Sequence, residues 1–205
     1  MDELYSGLMV DVFDNFTTEA VYEKRATEVI ALIRSYTPEA RKLLELACGT
    51  GNFTKQLARA GFEIIATDIS ADMIQIANKK LLKSKIRNID FQIQDSYNLT
   101  FPDKSFDIVI ASNLLHLLYE PEKPIKEIKR VMKDNGIFIA PTLCFGENTK
   151  SKITATIIGF ISGFKVVNKW SFQGFKSMLT NNGLVICKAL RIEGKLLTAY
   201  IVLKK

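Results

Sequence analysis

The residues of this sequence whose types and spacing could do chemistry are two glycines between an apolar run and a helix start, three polar residues closing later apolar runs, and one histidine. Within residues 43–54, Gly49 and Gly51 lack the Cβ that would hold a backbone turn away from a bound group, so the chain can pass close under a small molecule. Asp68 and Asp95 close the next two apolar runs with carboxylates that can accept from hydroxyl or amino groups. Asn113 follows a fourth run, and His116 just beyond it is the only imidazole in the chain, able to take a proton near neutral pH. Taken singly, each of these also reads as a strand-end turn or helix cap, and a Gly-x-Gly pair also serves a turn's own geometry. Together they favour a site, because a parallel sheet brings the ends of its strands to one crevice. Cys48, Cys144 and Cys187 are odd in number and far apart, with no Cys-x-x-Cys, so neither a disulfide framework nor a metal site is expected.

The elements that must position these residues follow from periodicity. Residues 18–36 place Tyr22, Ala26, Val29, Ile30 and Ile33 at helical spacing before Pro38, with Thr17 and Thr18 as caps. Ahead of this helix runs an aromatic segment with Tyr5, Phe13 and Phe16 that could fold over a ligand. From residue 42, short apolar runs alternate with amphipathic helices, the pattern of a parallel sheet covered on both faces. Strands are predicted at 42–47, 63–67, 90–94, 106–111 and 137–140, the last terminated by Pro141. Helices are predicted at 52–60, ending at Gly61 in a left-handed cap; from Ser70 through Met73, Ile74, Ala77 and Leu81; and at 121–133, closing at Asn135-Gly136. A helix at 171–182 stopped by Gly183 precedes strands at 184–191 and 196–203. Gly194-Lys195 between these reads as a hairpin turn, so the last strand should run antiparallel. The fold class expected is therefore α/β, a doubly wound, mostly parallel seven-stranded sheet with helices on both faces.

At 205 residues and 47% hydrophobic content the chain can bury one large core, which suggests a single domain over 1–205, with 1–38 as an N-terminal cap segment and helix and 142–170 as an inserted apolar segment. The N-terminus lacks the basic and apolar regions of a secretory signal, and no uncharged run is long enough for a membrane span, so a soluble, cytoplasmic protein is expected. The net charge of +6 would suit an acidic partner. Yet Lys79, Lys80, Lys83, Lys85 and Arg87 read as the polar side and end of one helix, and Lys126, Lys129, Arg130 and Lys133 as spread over a second. Solvated helix faces account for both groups, and nucleic acid is not the expected partner.

The order of these residues resembles the class I S-adenosylmethionine-dependent methyltransferases, from about residue 43 through Gly136. Glu45-Leu-Ala-Cys-Gly-Thr-Gly-Asn-Phe-Thr54 is similar to that family's first motif and Ala66-Thr-Asp-Ile-Ser70 to its second. Gln94-Asp-Ser96 is similar to the third, and Phe106-Asp-Ile-Val-Ile-Ala-Ser-Asn113 to the fourth. The resemblance implies a Rossmann-like fold and S-adenosylmethionine as cofactor. It implies that Gly49, Gly51 and Asn52 border the cofactor's methionine and ribose portions, that Glu45 organises the amino end, and that Asp68 accepts from both ribose hydroxyls. Ile69 and Met73 would pack on the adenine, Asp95 and Ser96 would bind its amino group and a ring nitrogen, and the Asn113 carbonyl would hold the ammonium. Tyr22 is the residue chosen for a contact near the cofactor carboxylate, with Phe13, Phe16 and Arg25 as competitors. Two departures from the family pattern stand out: Asn135 where a first glycine is common, and Leu117 where relatives often carry a second histidine. A nicotinamide dinucleotide site is the rival for a Gly-x-Gly turn, but Thr54 replaces its third glycine and Asp95 and Asn113 would then have no roles.

By the same resemblance His116 lies near the transferred methyl as a candidate base. Ser112-Asn-Leu-Leu115 lacks the prolines and aromatic of base-amino methyltransferases. The best match is the small-molecule branch similar to quinone-biosynthesis methyltransferases. The expected function is methyl transfer to a small-molecule acceptor, with a tRNA or rRNA methyltransferase and a non-catalytic cofactor-binding protein as alternatives. In 152–169, Ile153, Ile157, Phe160, Ile161 and Phe164 share one helical face, expected to form a lid over a partly hydrophobic acceptor, with an ordinary core helix, a dimer contact or a rest on a membrane surface as other uses.

Overall fold

The computed structural model describes residues 18–151, 153, 154, 156, 165–192 and 197–205. The predicted contributions of Tyr5, Phe13, Phe16, Thr17, Ile157, Phe160, Ile161, Phe164 and the Gly194-Lys195 turn lie outside these residues.

A seven-stranded sheet forms the middle layer. Its strands are β1 (Lys42–Leu46), β2 (Glu63–Asp68), β3 (Ile89–Ile93), β4 (Phe106–Ala111), β5 (Met132–Leu143), β6 (Val185–Ile192) and β7 (Thr198–Lys204), in the order β3-β2-β1-β4-β5-β7-β6. Leu43 of β1 pairs in parallel with Ile64 on one side and Ile108 on the other, so the strand order reverses at β1 and β4. β5 continues the parallel set, and β7 lies antiparallel between β5 and β6, as the sequence pattern requires. The central strands read as apolar runs because both faces are covered, and Ile108, Val109, Ile110 and Ala111 are all fully buried.

Helices α1 (Glu19–Tyr36), α2 (Asn52–Arg59) and α3 (Ala71–Leu82) cover one face, packing Val29, Ile33, Leu57 and Ala77 on Leu43, Ile64, Ile108 and Ile139. On the other face α4 (Glu122–Val131) and α5 (Phe172–Asn181) bring Ile125, Ile128, Phe175 and Leu179 onto Leu44, Val109 and Phe138. Local signals set the helix ends. Ser70 Oγ accepts from Met73 N, and Ser171 Oγ accepts from Gly174 N, each satisfying an orphan donor of the first turn. Gly61 and Gly183 take φ of +92° and +72° just past α2 and α5.

Two sequence expectations are corrected around β5. Pro141 does not terminate the strand, which runs on to Leu143. In an extended strand a residue's N–H and C=O face the same side, and Pro141 O accepts from Asn113 N, on the β4 side. The missing N–H therefore falls where β4 has already ended, and no bond to β7 is lost. Nor does α4 reach Asn135-Gly136; it ends at Val131, and Met132 already pairs with Phe106. The register then jumps to Ile108↔Ile137, leaving Asp134-Asn-Gly136 in a bulge. A Cβ on Gly136 would stand 2.9 Å from the Asp107 carbonyl oxygen, so the bulge needs a glycine there.

Candidate cofactor and acceptor site

The loop after β1 turns on backbone conformations that side chains resist. Ala47, Gly49 and Gly51 have φ of 55°, 55° and 75°. The two glycines do different work. A Cβ on Gly49 would meet nothing within 4 Å, so this is a bare stretch of backbone beside open space. A Cβ on Gly51 would stand 2.6 Å from Phe91 Cζ and 3.3 Å from Ala77 Cβ, so packing inside the protein requires Gly51. Asp68 fastens this loop to the end of β2: Oδ2 accepts from Gly49 N at 2.9 Å and Oδ1 from Ser70 N at 3.0 Å. Burial raises the Asp68 carboxyl above its usual range while the Ser70 and Gly49 amides counter the rise. A carboxylate offers about four lone-pair positions, so the two amides orient it and leave two for a ligand's hydroxyls.

Glu45, one strand over, is almost fully buried, and its Oε2 has no hydrogen-bond partner. Burial pushes its carboxyl up to about 8. Thr54, beside it on α2, is also fully buried; its hydroxyl approaches the Glu45 carboxyl and counters part of the rise, without reaching the geometry of a full hydrogen bond. Orphaned buried polar atoms are rare in native proteins and each calls for a reason. These two stand behind the loop whose outer side Gly49 leaves bare, a fit for a ligand with a positive or hydrogen-bonding group. In the sequence Thr54 closes the first motif and stands where a dinucleotide motif has its third glycine; its burial beside Glu45 depends on packing that neither pattern announces.

The other predicted residues differ in exposure and in their partners within the protein. Ile69 is 44% exposed just past β2, an apolar surface at the strand ends. Asp95 is exposed after β3 and accepts from Tyr97 N through Oδ1, and Ser96 beside it is half-buried. Asn113 has φ of 53° and joins β4 to β5: its N–H donates to Pro141 O and its Oδ1 accepts from Leu143 N. Met73, by contrast, is buried. Asn52 opens α2 and accepts from Lys80 Nζ at 3.1 Å, tying α2 to α3. Tyr22 lies on α1, half-buried against the core on the α1–α3 face.

His116 sits in a 3₁₀ turn, Leu115–Leu117, after β4. It is buried, its ring lies 5.6 Å from that of Phe145 at 61°, and Nδ1 has no partner. Burial lowers its pKa to about 4, so the imidazole is neutral near pH 7, able to accept a hydrogen bond but only weakly basic. Its carbonyl accepts from Val167 N and Asn168 N, pinning the return of the segment after β5. Thr142 of β5, which sequence reasoning passed over, is fully buried with Oγ1 unpartnered. Cys144 nearby is buried and its thiol is pushed up to about 11 by burial, far from a nucleophilic thiolate.

The family described as "Methyltransferase domain" matches residues 44–140. The chain is 31% identical over 140 residues to a putative methyltransferase, YqeM, of Bacillus subtilis (strain 168), covering 66% of this chain and 54% of that one. It is 34% identical over 108 residues to a demethylmenaquinone methyltransferase of Clavibacter sepedonicus, covering 52% and 43%. Among solved structures, the PH0226 protein of Pyrococcus horikoshii OT3 superposes with a TM-score of 0.72 at 25% identity, covering 90% of this chain and 91% of that one. Over residues 44–140 this chain is thus similar to methyltransferases, and the curated relatives it matches there are methyltransferases over part of their own length.

The matched methyltransferase region runs from β1 into β5 and so contains Glu45, Gly49, Thr54, Asp68, Asp95, Asn113 and His116. Thr142 lies just beyond it. The chain spans about half the length of the curated methyltransferases it matches first. No helix among the described residues is long and apolar enough to cross a membrane, and no cluster among them could hold a metal ion.

Proposed function

We propose that this protein transfers a methyl group from S-adenosylmethionine to a small-molecule acceptor, with residues 1–205 acting as one methyltransferase domain. The observation that carries the proposal is the orphaned, buried Glu45 Oε2 behind the bare Gly49 backbone at the β1/β4 reversal, next to an Asp68 carboxylate oriented by two amides. Open α/β sheets bind ligands at this place, outside the carboxyl ends of the strands. The residues fit the cofactor: Glu45 would face its cationic amino end, Asp68 its ribose hydroxyls, Ile69 one face of its adenine, Asp95 and Ser96 the adenine edge.

When bound, the cofactor supplies a methyl already activated by a positively charged sulfur, so the protein needs no metal for activation. What the chain contributes is position. Asn113, held to β5 by two hydrogen bonds, fixes the boundary between the cofactor half of the crevice and the β4–β5 half. An acceptor held in line on the β4–β5 side gains from orientation. There His116, neutral and with Nδ1 unpaired, can take up the proton that an acceptor hydroxyl or amine loses. Its low basicity restricts it to accepting that proton as the new bond forms. The relatives' names support a small apolar acceptor over a nucleic acid.

Calorimetric titration with S-adenosylmethionine and with its demethylated product tests the proposal directly. Saturable binding is expected, with a rise in thermal stability worth about 2.7 kcal/mol at one hundred times the dissociation constant. No heat and no thermal shift at millimolar ligand would remove the methyltransferase reading.

A further inference from the structure

Two buried polar side chains lie on the β4–β5 half of the crevice with nothing to bond: His116 at Nδ1 and Thr142 at Oγ1. They are 4% exposed and fully buried, respectively. The elements that carry them are neighbours. The loop carrying His116 is laced to the end of β5 by Asn113 N to Pro141 O at 2.8 Å and Leu143 N to Asn113 Oδ1 at 3.2 Å, bonds that bracket Thr142. The His116 ring packs on Phe145, three residues past Thr142. Alternation along β5 puts Thr142 on the same sheet face as Phe138 and Ala140, the face to which Leu114 and Leu115 also belong.

The surroundings are apolar. Leu114, Leu115, Ala140, Cys144 and Ala199 share that face, and among the described residues no lysine or arginine is buried. Arg191 is felt at Cys144 on this wall, but it is already ion-paired with Glu147 at 3.8 Å. An apolar wall with two unpaired hydrogen-bonding atoms, whose neighbouring cation has its own carboxylate, suits one kind of group. A carboxylate or phosphate would be stripped of water with nothing to balance its charge, and a purely hydrocarbon acceptor would leave both protein atoms unsatisfied. A neutral hydroxyl satisfies both: its hydrogen is donated to His116 Nδ1, and its oxygen accepts from the Thr142 hydroxyl.

We propose that Thr142 and His116 form a two-point seat for an uncharged hydroxyl group on an otherwise apolar methyl acceptor, Thr142 as a positioning residue beside His116. This rests on the methyltransferase reading, and it names the polar character the acceptor must carry. The assignment also accounts for a threonine on β5 where valine would fill the same volume without an unpaired hydroxyl. Specificity built on a hydrogen-bonding pair is sharp, because the wrong ligand leaves buried protein atoms unpaired.

The test uses the full chain saturated with the demethylated cofactor product and three aromatic probes: 2-naphthol, 2-naphthoate and naphthalene. Because His116 is the only histidine in the sequence, its imidazole nitrogen resonances report the seat without assignment ambiguity. Binding of 2-naphthol is expected to shift the Nδ1 resonance, with at least tenfold weaker binding of 2-naphthoate. Thr142→Val should weaken 2-naphthol about tenfold while leaving naphthalene and the cofactor product unchanged. Cofactor-product binding without any 2-naphthol binding at millimolar concentration would overturn the seat while leaving the methyltransferase reading intact. Equal binding of naphthol and naphthoate, an unmoved Nδ1 resonance, or equal losses of naphthol and naphthalene in Thr142→Val would overturn it as well. Absence of cofactor-product binding would be a failure of the parent reading and would remove the seat with it.

Discussion

Gly49 and Gly51, two identical residues two positions apart, have different surroundings: open space beside the first and the core against the second. Both have left-handed backbone, so alanine at either carries a strain of roughly 1–2 kcal/mol. At Gly51 the new methyl also meets the Phe91 ring at 2.6 Å, and overpacking of that kind adds about 1–3 kcal/mol. Gly51→Ala should therefore lower the urea midpoint clearly more than Gly49→Ala, whereas Gly49→Ala should weaken the cofactor product more than its modest loss of stability explains. Equal midpoints in the two variants would contradict this division. Asp68→Ala removes an acceptor of two amides and, by the proposal, of two hydroxyls, and charge-assisted bonds are worth roughly 1.5–3 kcal/mol each. Affinity for the cofactor product should drop at least tenfold, measured by calorimetry on the folded variant. Sequence marks these residues as site candidates but does not reveal what surrounds each. Gly51's partner, Phe91, is forty positions away, and Asp68's first partners are backbone amides that no side-chain pattern announces.

At the scale of elements the sequence was most readable where one physical rule acts alone. Strand β4 was placed at 106–111 and lies there, because a central parallel strand reads as an unbroken apolar run. The starts of α3 and α5 were legible from single serines, and Ser70→Ala should cost about 1 kcal/mol in chemical denaturation by freeing the Met73 amide. Element ends failed where a rule's consequence depended on a neighbour. Proline stops a strand only if its missing donor faces a partner, and Pro141 faces the space past the end of β4. Missing this also hid Thr142, which a strand ending at Ala140 would have assigned to a loop. The bulge at Asp134-Asn-Gly136 escaped for a similar reason, since Asn-Gly is an equally good turn signal and only the approach of Asp107 decides between them.

For the whole molecule, buried ionisable groups couple the site to global stability, and their signs can be separated by pH. Glu45 has an ordinary value of 4.5 when exposed in the unfolded chain and about 8 when buried, so its contribution is present below pH 4.5 and is lost as pH rises through 8. Asp68 is shifted in the same direction. His116 is lowered from 6.5 to about 4, so its contribution is present above pH 6.5 and is lost as pH falls through 4. Between pH 4.5 and 6.5 the two groups oppose each other. From pH 6.5 to 8 His116 no longer changes and the Glu45 carboxyl sets the slope. At 1.36 kcal/mol per unit, stability of the ligand-free protein should fall by roughly 2 kcal/mol across that interval. Glu45→Gln, which keeps the shape and cannot ionise, should flatten this slope and leave the variant more stable than the parent at pH 8. A cation seated against Glu45 reverses the penalty, because the ionised carboxylate then has a partner. Binding of the cofactor product at pH 7 should thus release up to about one proton, read from titration heats in buffers of different ionisation enthalpy, and Glu45→Gln should release none. A parent protein whose urea midpoint is flat from pH 6.5 to 8 would mean that Glu45 ionises at its ordinary value, and the orphaned oxygen would lose its claim to be waiting for a charge.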